Sequence, residues 1–346
     1  MLLTDIEVEA EDADIQTSAN IERSATLRDF DFFRVVVFSC DVETVIELSW
    51  LVLWKLLLVI GGVFAIAYLS ACLYLLLRQN RFIFKPPTVI RSTPQSFNLD
   101  YQEVWLPVQT ALDKINQIHG WWVPAAKSEA KVWVFLHGNG STIGDEVKRA
   151  FCFHQLGYST FLFDYRGYGR SIAKFPTEAS VYEDVEIVLN YLTEELKIPL
   201  EQIFIYGHSL GGAIAIEMAL RYPKIAGLAV EGTFTSMRAM VGHLYRQFGI
   251  FPVNFLLHQL FDSLNKVPSL KMPVLFLHGT KDGLVPAYMS QNLFDAGLEP
   301  KRLLLIADAG HHNVSELGGR QYLEAIQWVV EQAQVQNLSL AEIDNR

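Results

Sequence analysis

The sequence predicts an α/β fold: a mostly parallel, eight-stranded sheet covered by helices on both faces and preceded by one transmembrane helix. Three observations carry this prediction. Short apolar runs alternate with helical periodicities from about residue 101 to 334. Residues 56–77 form a run of 22 without a single charge. The chain is 51% hydrophobic and only 19% charged, and its mean hydropathy is positive, which a membrane segment would account for.

The net charge of −10 is unevenly placed. Residues 1–48 hold 12 acids and three arginines, net −9, whereas the other 298 residues hold 26 acids and 25 bases, net −1. Residues 1–48 read as an acidic, largely disordered tail, its early part 4–20 being polar without any apolar period, and the sequence names no partner for it. An acidic chain of this kind excludes a nucleic-acid binder, which would carry a basic patch. Cys40, Cys72 and Cys152 are too scattered for a disulfide framework or a metal-type pair.

The uncharged run rises about 33 Å as a helix, enough for a hydrocarbon core of about 30 Å. Trp50 and Trp54 stand at one edge of it, and Arg78, Arg81 and Lys85 at the other. Residues 49–77 are therefore assigned to the membrane helix. Leu69-Ser70-Ala71-Cys72 has the look of a lipoprotein cleavage box, but the apolar run continues through Leu77. The excess of Arg78, Arg81, Lys85 and Arg91 over Lys55 puts the C-terminal part on the cytoplasmic side. Residues 78–95, with Pro86, Pro87 and Pro94, are expected to be an extended tether. A domain of residues 96–335 follows, then a tail of residues 336–346.

Within that domain, strands are expected at 101–108, 115–123, 132–136, 160–163, 203–206, 225–230, 274–277 and 303–306. Helices are expected at 146–156, 180–195, 210–221, 287–296 and 317–334. Residues 233–271 form a short cap with apolar stretches at 237–248 and 253–261, the second of which could touch the bilayer and admit acyl chains.

The chemistry concentrates at strand ends. Gly207-His208-Ser209-Leu210-Gly211-Gly212 has the G-x-S-x-G pattern between a strand and a helix. A nucleophile needs a sharp turn there, and bulky neighbours would clash. Serine needs a base and an orienting acid. Asp282 lies just after the strand at 274–277, and the pair His311-His312 just after the strand at 303–306, with Asp308 too near the histidine turn to serve. Ser209, Asp282 and the histidine pair follow one another in that order, each just after a strand. For the oxyanion, the Gly-rich loop His137-Gly138-Asn139-Gly140-Ser141 offers the Asn139 N–H, and the start of the next helix offers the Leu210 N–H. His137 precedes the nucleophile and reads as a loop brace. Asp164-Tyr165-Arg166-Gly167-Tyr168-Gly169-Arg170-Ser171 lacks a phosphate-binding pattern and reads as a tight loop beside the site. His154, His243 and His258 have no ligand spacing, so no metal is expected.

Together these blocks, HGNGS at 137–141, DYRGYGRS at 164–171, GHSLGG at 207–212, HGTKDGLVP at 278–286 and GHHN at 310–313, resemble the α/β-hydrolases, in particular membrane-tethered α/β-hydrolase-domain proteins related to the serine aminopeptidase-like group. The resemblance covers about residues 93–331. It implies the α/β-hydrolase fold and cofactor-free hydrolysis of esters, thioesters or amides. Its His-Asn register favours His312 as the base, although the Asp common after that pair is Val314 here. The reading is a single-pass, membrane-anchored serine hydrolase acting through Ser209, Asp282 and His312 on a lipid-like or acylated substrate. Two alternatives remain: an aminopeptidase, which an acid such as Glu231 near Ser209 would favour, and a catalytically silent binding scaffold.

Overall fold

The computed structural model describes residues 42–108, 116–127, 130–172 and 174–344. The acidic stretch 1–41, and with it most of the expected tail, lies outside them. The chain forms two units, one ending at Ala65 and one beginning at Ile66. The described part of the first is the N-terminal portion of helix α1 (Val42–Ile83), whose side chains from Glu43 to Ala65 are all exposed. α1 is long and apolar enough to cross a membrane. It begins at Val42 and so takes in residues 42–48, which were expected to belong to the tail.

The second unit holds the remainder of α1 and an α/β domain. Its strands are β1 (Gln102–Val108), β2 (Asn116–Val123), β3 (Val132–Leu136), β4 (Ser159–Phe163), β5 (Ile203–His208), β6 (Gly227–Glu231), β7 (Val274–Gly279) and β8 (Lys301–Ile306). Its helices are α2 (Ile143–Gln155), α3 (Glu178–Asn190), α4 (Leu210–Arg221), α5 (Met237–Leu244), α6 (Val253–Leu256), α7 (Ser263–Lys266), α8 (Tyr288–Ala296) and α9 (Val314–Asp344). Among the described residues the strands form one sheet in the order β1-β2-β4-β3-β5-β6-β7-β8. β2 pairs antiparallel with β1 and β4, and from β4 onward every pair is parallel.

The central strands are buried on both faces, which is why they read as continuous apolar runs. Alternation divides their side chains between two cores. Val132, Val134, Ile203, Ile205, Leu228 and Val230 pack with α3 and α4. Trp133, Phe135, Phe204, Tyr206, Leu275 and Leu277 pack with α2 and α9 on the opposite face.

Three expectations are corrected. The tether does not begin at residue 78, because α1 stays helical to Ile83 and the first proline comes only at Pro86. Nor is the following segment a free spacer. Phe84 is buried in the core with its ring 6.1 Å from Phe261, and Pro94 is buried at the start of a short 3-10 turn. Finally, residues 336–344 are not a separate tail. After a break at Gly319 (φ 46°), α9 continues to Asp344.

The chain between β6 and β7 carries α5, α6 and α7. Side chains from other elements hold this cap down. Glu178, at the start of α3, accepts the Leu260 and Phe261 N–H groups. Gln79, near the end of α1, accepts those of His258 and Gln259.

Candidate active site

The parallel strands end on one edge of the sheet, where loops of an open α/β fold build binding sites. β3, β5, β7 and β8 deliver Asn139, Ser209, Asp282 and the His311-His312 pair to that edge.

Ser209 occupies the break between β5 and α4 with φ 55° and ψ −116°, a conformation that costs a non-glycine residue about 1–3 kcal/mol. The surroundings hold it there. Its N–H donates to Glu231 O (2.8 Å), and its carbonyl accepts from Thr233 Oγ1 (2.8 Å) and the Gly212 N–H (3.0 Å). A Cβ at position 207 would meet the backbone of Gly211, and one at 211 would fall on Leu136 O, so both flanking glycines are required by close approach.

The loop after β7 is organised by Asp282. Its Oδ1 accepts the N–H groups of Leu284 (2.8 Å) and Val285 (2.9 Å), while Oδ2 lies 2.6 Å from His311 Nδ1. His278 Nε2 is 3.2 Å from the same Oδ2 and 2.8 Å from Val285 O. Both neighbours are acceptors, so His278 donates from Nε2, and its Nδ1 lies 2.6 Å from the Ser290 hydroxyl. Burial opposes ionisation of Asp282, but the hydrogen bonds from His278 and His311 outweigh it and hold the carboxyl well below the usual carboxylate range. An unfolded aspartate titrates near 3.9. The ionised form therefore stabilises the fold fully above that value, and the contribution fades as pH falls toward the lower folded value. Asp282→Asn is expected to lower kcat/KM on the order of 10⁴-fold, because the amide can no longer hold the histidine in its Nδ1–H form; ester-hydrolysis kinetics check this.

The histidine that meets Asp282 is His311. His312, expected from the His-Asn register, is exposed and its ring faces His208 and His311. The reason is the tight turn at 310–313, in which Asn313 Oδ1 accepts the Gly310 N–H (2.7 Å). This turn directs the first histidine inward and the second outward. Burial, together with the neighbouring His311 and Arg149, lowers the pKa of His312.

His208, the variable residue of the Ser209 motif, has a role that sequence reasoning missed. It is buried, and its Nε2–H donates to His311 O (2.9 Å), bracing the backbone of the inward-facing histidine. Burial, then the nearby positive charge of Arg149, hold its pKa well below the ordinary histidine value, so it is neutral and acts as a fixed donor. Its place beside Ser209 was the only signal available in the sequence.

Asn139 and Leu210 line the same cavity as Ser209. No acceptor for either backbone N–H is found among the described residues. The Asn139 side chain points elsewhere. Its Nδ2 donates to Ile83 O (2.6 Å) at the end of α1, and its Oδ1 accepts from the Lys85 N–H (2.8 Å) and Tyr168 OH (3.0 Å). His137 is buried behind this loop, against the rings of Tyr165 and Tyr168. In the loop at 164–171, Asp164 Oδ1 accepts the Ile143 N–H (2.9 Å) and so ties the loop to the start of α2.

Glu231 does not reach the cavity. It is fully buried under Ser209, its Oε1 accepting from Arg149 Nη2 (2.8 Å) and its Oε2 from Tyr206 OH (2.5 Å).

A family profile described as serine aminopeptidase, S33, matches residues 127–265. An uncharacterized protein of Mycobacterium tuberculosis is 32% identical over 211 residues, covering 61% of this chain and 73% of that protein. A Saccharomyces cerevisiae protein named as an uncharacterized membrane protein is 28% identical over 273 residues, covering 75% of this chain and 92% of its own length. Among solved structures, an esterase of Pyrococcus furiosus aligns with a TM-score of 0.60 at 19% identity, over 72% of this chain and 97% of that one, a likeness of fold. With the strand order, the strained serine turn and these relatives in agreement, the chain belongs to the α/β-hydrolase superfamily.

Proposed function

We propose that the protein is a membrane-anchored serine hydrolase of carboxylic esters or thioesters with an apolar acyl group. The observation that carries this is the 2.6 Å contact from Asp282 to His311, whose carbonyl is held by the neighbour of a strained Ser209 that opens into an apolar cavity. His311 Nδ1–H donates to Asp282, which leaves Nε2 with a lone pair to act as base. As Ser209 Oγ bonds to the acyl carbon, its proton passes to Nε2 and the carbonyl electron pair moves onto oxygen. The Asn139 and Leu210 N–H groups receive that oxyanion. When the tetrahedral species collapses, the bond to the leaving oxygen or sulfur breaks and Nε2 returns the proton to it. Water then repeats the sequence on the acyl-enzyme and releases the acid.

α1 anchors the chain, with the domain on the cytoplasmic side. Its uncharged run and the basic residues that follow it support this reading.

The S33 profile raises peptide hydrolysis from a free amino terminus. Such a substrate needs a carboxylate to bind its ammonium group. No acidic side chain lines the cavity among the described residues, and Glu231 is already engaged by Arg149. The ester reading is therefore favoured.

Labelling by a fluorophosphonate tests the nucleophile. The full chain is expected to be labelled at Ser209, and Ser209→Ala is expected to lose both labelling and ester hydrolysis. A wild-type chain that resists labelling and cleaves no ester would instead support the silent scaffold.

A further inference from the structure

The cavity beside Ser209 has a volume of about 330 Å³ and two unlike walls. One is the cap, through α5 and the chain around Leu256. The other is α1 itself, through Leu75, Gln79 and Phe82. These three positions follow Tyr68 at intervals of seven, four and three residues, so all four share one face of the helix.

That face is fixed to the cap at two heights. Tyr68 OH donates to Ile250 O (3.0 Å), and the Tyr68 ring stacks on Phe251 with centroids 5.6 Å apart. Further along, Gln79 is only 7% exposed, with its Nε2 2.8 Å from His258 Nδ1 and 3.2 Å from Leu256 O. Its Oε1 accepts the N–H groups of His258 (3.0 Å) and Gln259 (3.1 Å). A glutamine held at every polar atom makes this end of α1 a rigid wall.

Tyr68 lies inside the uncharged run 56–77, so with α1 read as the membrane helix the part of the cap that rests on it is set against lipid. The cap tip suits that solvent. Phe255 is 88% exposed and Ile250 72% exposed, a poor arrangement against water and a favourable one against lipid.

We infer that the last turns of α1 and the cap together form an acyl-binding site, entered from the bilayer, in which the anchor helix sets the length of chain accepted. This rests on the serine-hydrolase reading and names its substrate class: an ester whose single acyl chain is drawn from the membrane. Leu75 stands on the wall that such a chain must pass.

The test measures kcat/KM for p-nitrophenyl esters from C2 to C16, using the full chain in phosphatidylcholine vesicles. Wild type is expected to favour longer acyl chains over C2 and to pass through an optimum. Leu75→Trp narrows the site and moves the optimum several carbons shorter, with a loss of about fourfold for each methylene excluded. Leu75→Ala moves it longer. These opposite shifts separate a change in the site from a general loss of folding, and the rate of labelling by a short fluorophosphonate reports the folded fraction of each variant. Leu77→Trp, on the exposed side of α1 and away from the cavity, is expected to keep the wild-type profile. The inference is overturned if wild type shows no preference for long chains, or if both Leu75 variants keep its profile. If wild type neither hydrolyses any ester nor labels at Ser209, the serine-hydrolase reading itself falls, and the acyl site falls with it.

Discussion

Replacing His311 with alanine is expected to lower kcat/KM for ester hydrolysis on the order of 10⁴- to 10⁶-fold, while His312→Ala costs less than about tenfold. The two residues are neighbours with the same chemistry, so the contrast tests position alone. Only His311 meets Asp282, and only its backbone is braced by His208. His312 is exposed, and its pKa is lowered by burial of part of its ring and by His311 and Arg149. Fluorophosphonate labelling follows the same order, because the rate at which Ser209 is phosphonylated depends on the base that activates it. A large loss in His312→Ala with His311→Ala nearly intact would reverse the assignment.

The largest effect on stability is expected at Arg149. Its guanidinium donates to Glu146 Oε2 (2.7 Å) and to Glu231 Oε1 (2.8 Å), with all three groups buried. Arg149→Met keeps much of the volume but leaves two carboxylates without their cation. Removing one partner from such a cluster typically costs about 3–5 kcal/mol. The urea midpoint should fall by that equivalent at an unchanged m value.

The pH dependence has a definite sign. Burial already holds the Glu146 carboxyl above its ordinary range, with Arg149 opposing the shift. Without Arg149, the folded-state Glu146 carboxyl is raised further, and a raised group contributes stability at low pH that is lost as pH rises. The deficit should therefore be smaller at pH 5 than at pH 8. An equal deficit at both values would show that lost packing, and not stranded charge, is responsible. Because Glu231 O also holds the Ser209 N–H, the variant is expected to lose hydrolytic rate as well.

Much of this architecture is legible in the sequence because its signals are local. Strands β3 to β7 are apolar runs bounded by turn residues. The turn at Ser209 announces itself through glycines that must lack a Cβ. The loops bearing Asn139 and Asp282 follow strands at the expected places. Each of these depends on residues a few positions apart, which a linear reading can see.

What went unread depends on contacts between distant segments. The direction of each histidine is settled by the turn that Asn313 closes and by the Asp282 side chain arriving from another strand. Glu231 could be placed near Ser209 from its number, but its engagement by Arg149 of α2 could not. The segment after residue 78 looked like a spacer because prolines and charges are what a spacer contains. Its docking comes from Phe84 entering the core and from the Asn139 side chain capturing Ile83 O.

The sequence by itself determined an α/β domain behind an apolar helix, and a serine, an acid and a histidine pair at strand ends, since periodicity and turn chemistry are written in neighbouring residues. Only the tertiary structure decided which histidine faces the acid, where the buried charges find their partners, and that the end of the apolar helix is a wall of the cavity. Those outcomes rest on hydrogen bonds and packing between residues up to about 180 positions apart, as between Gln79 and Gln259, and no local pattern encodes them.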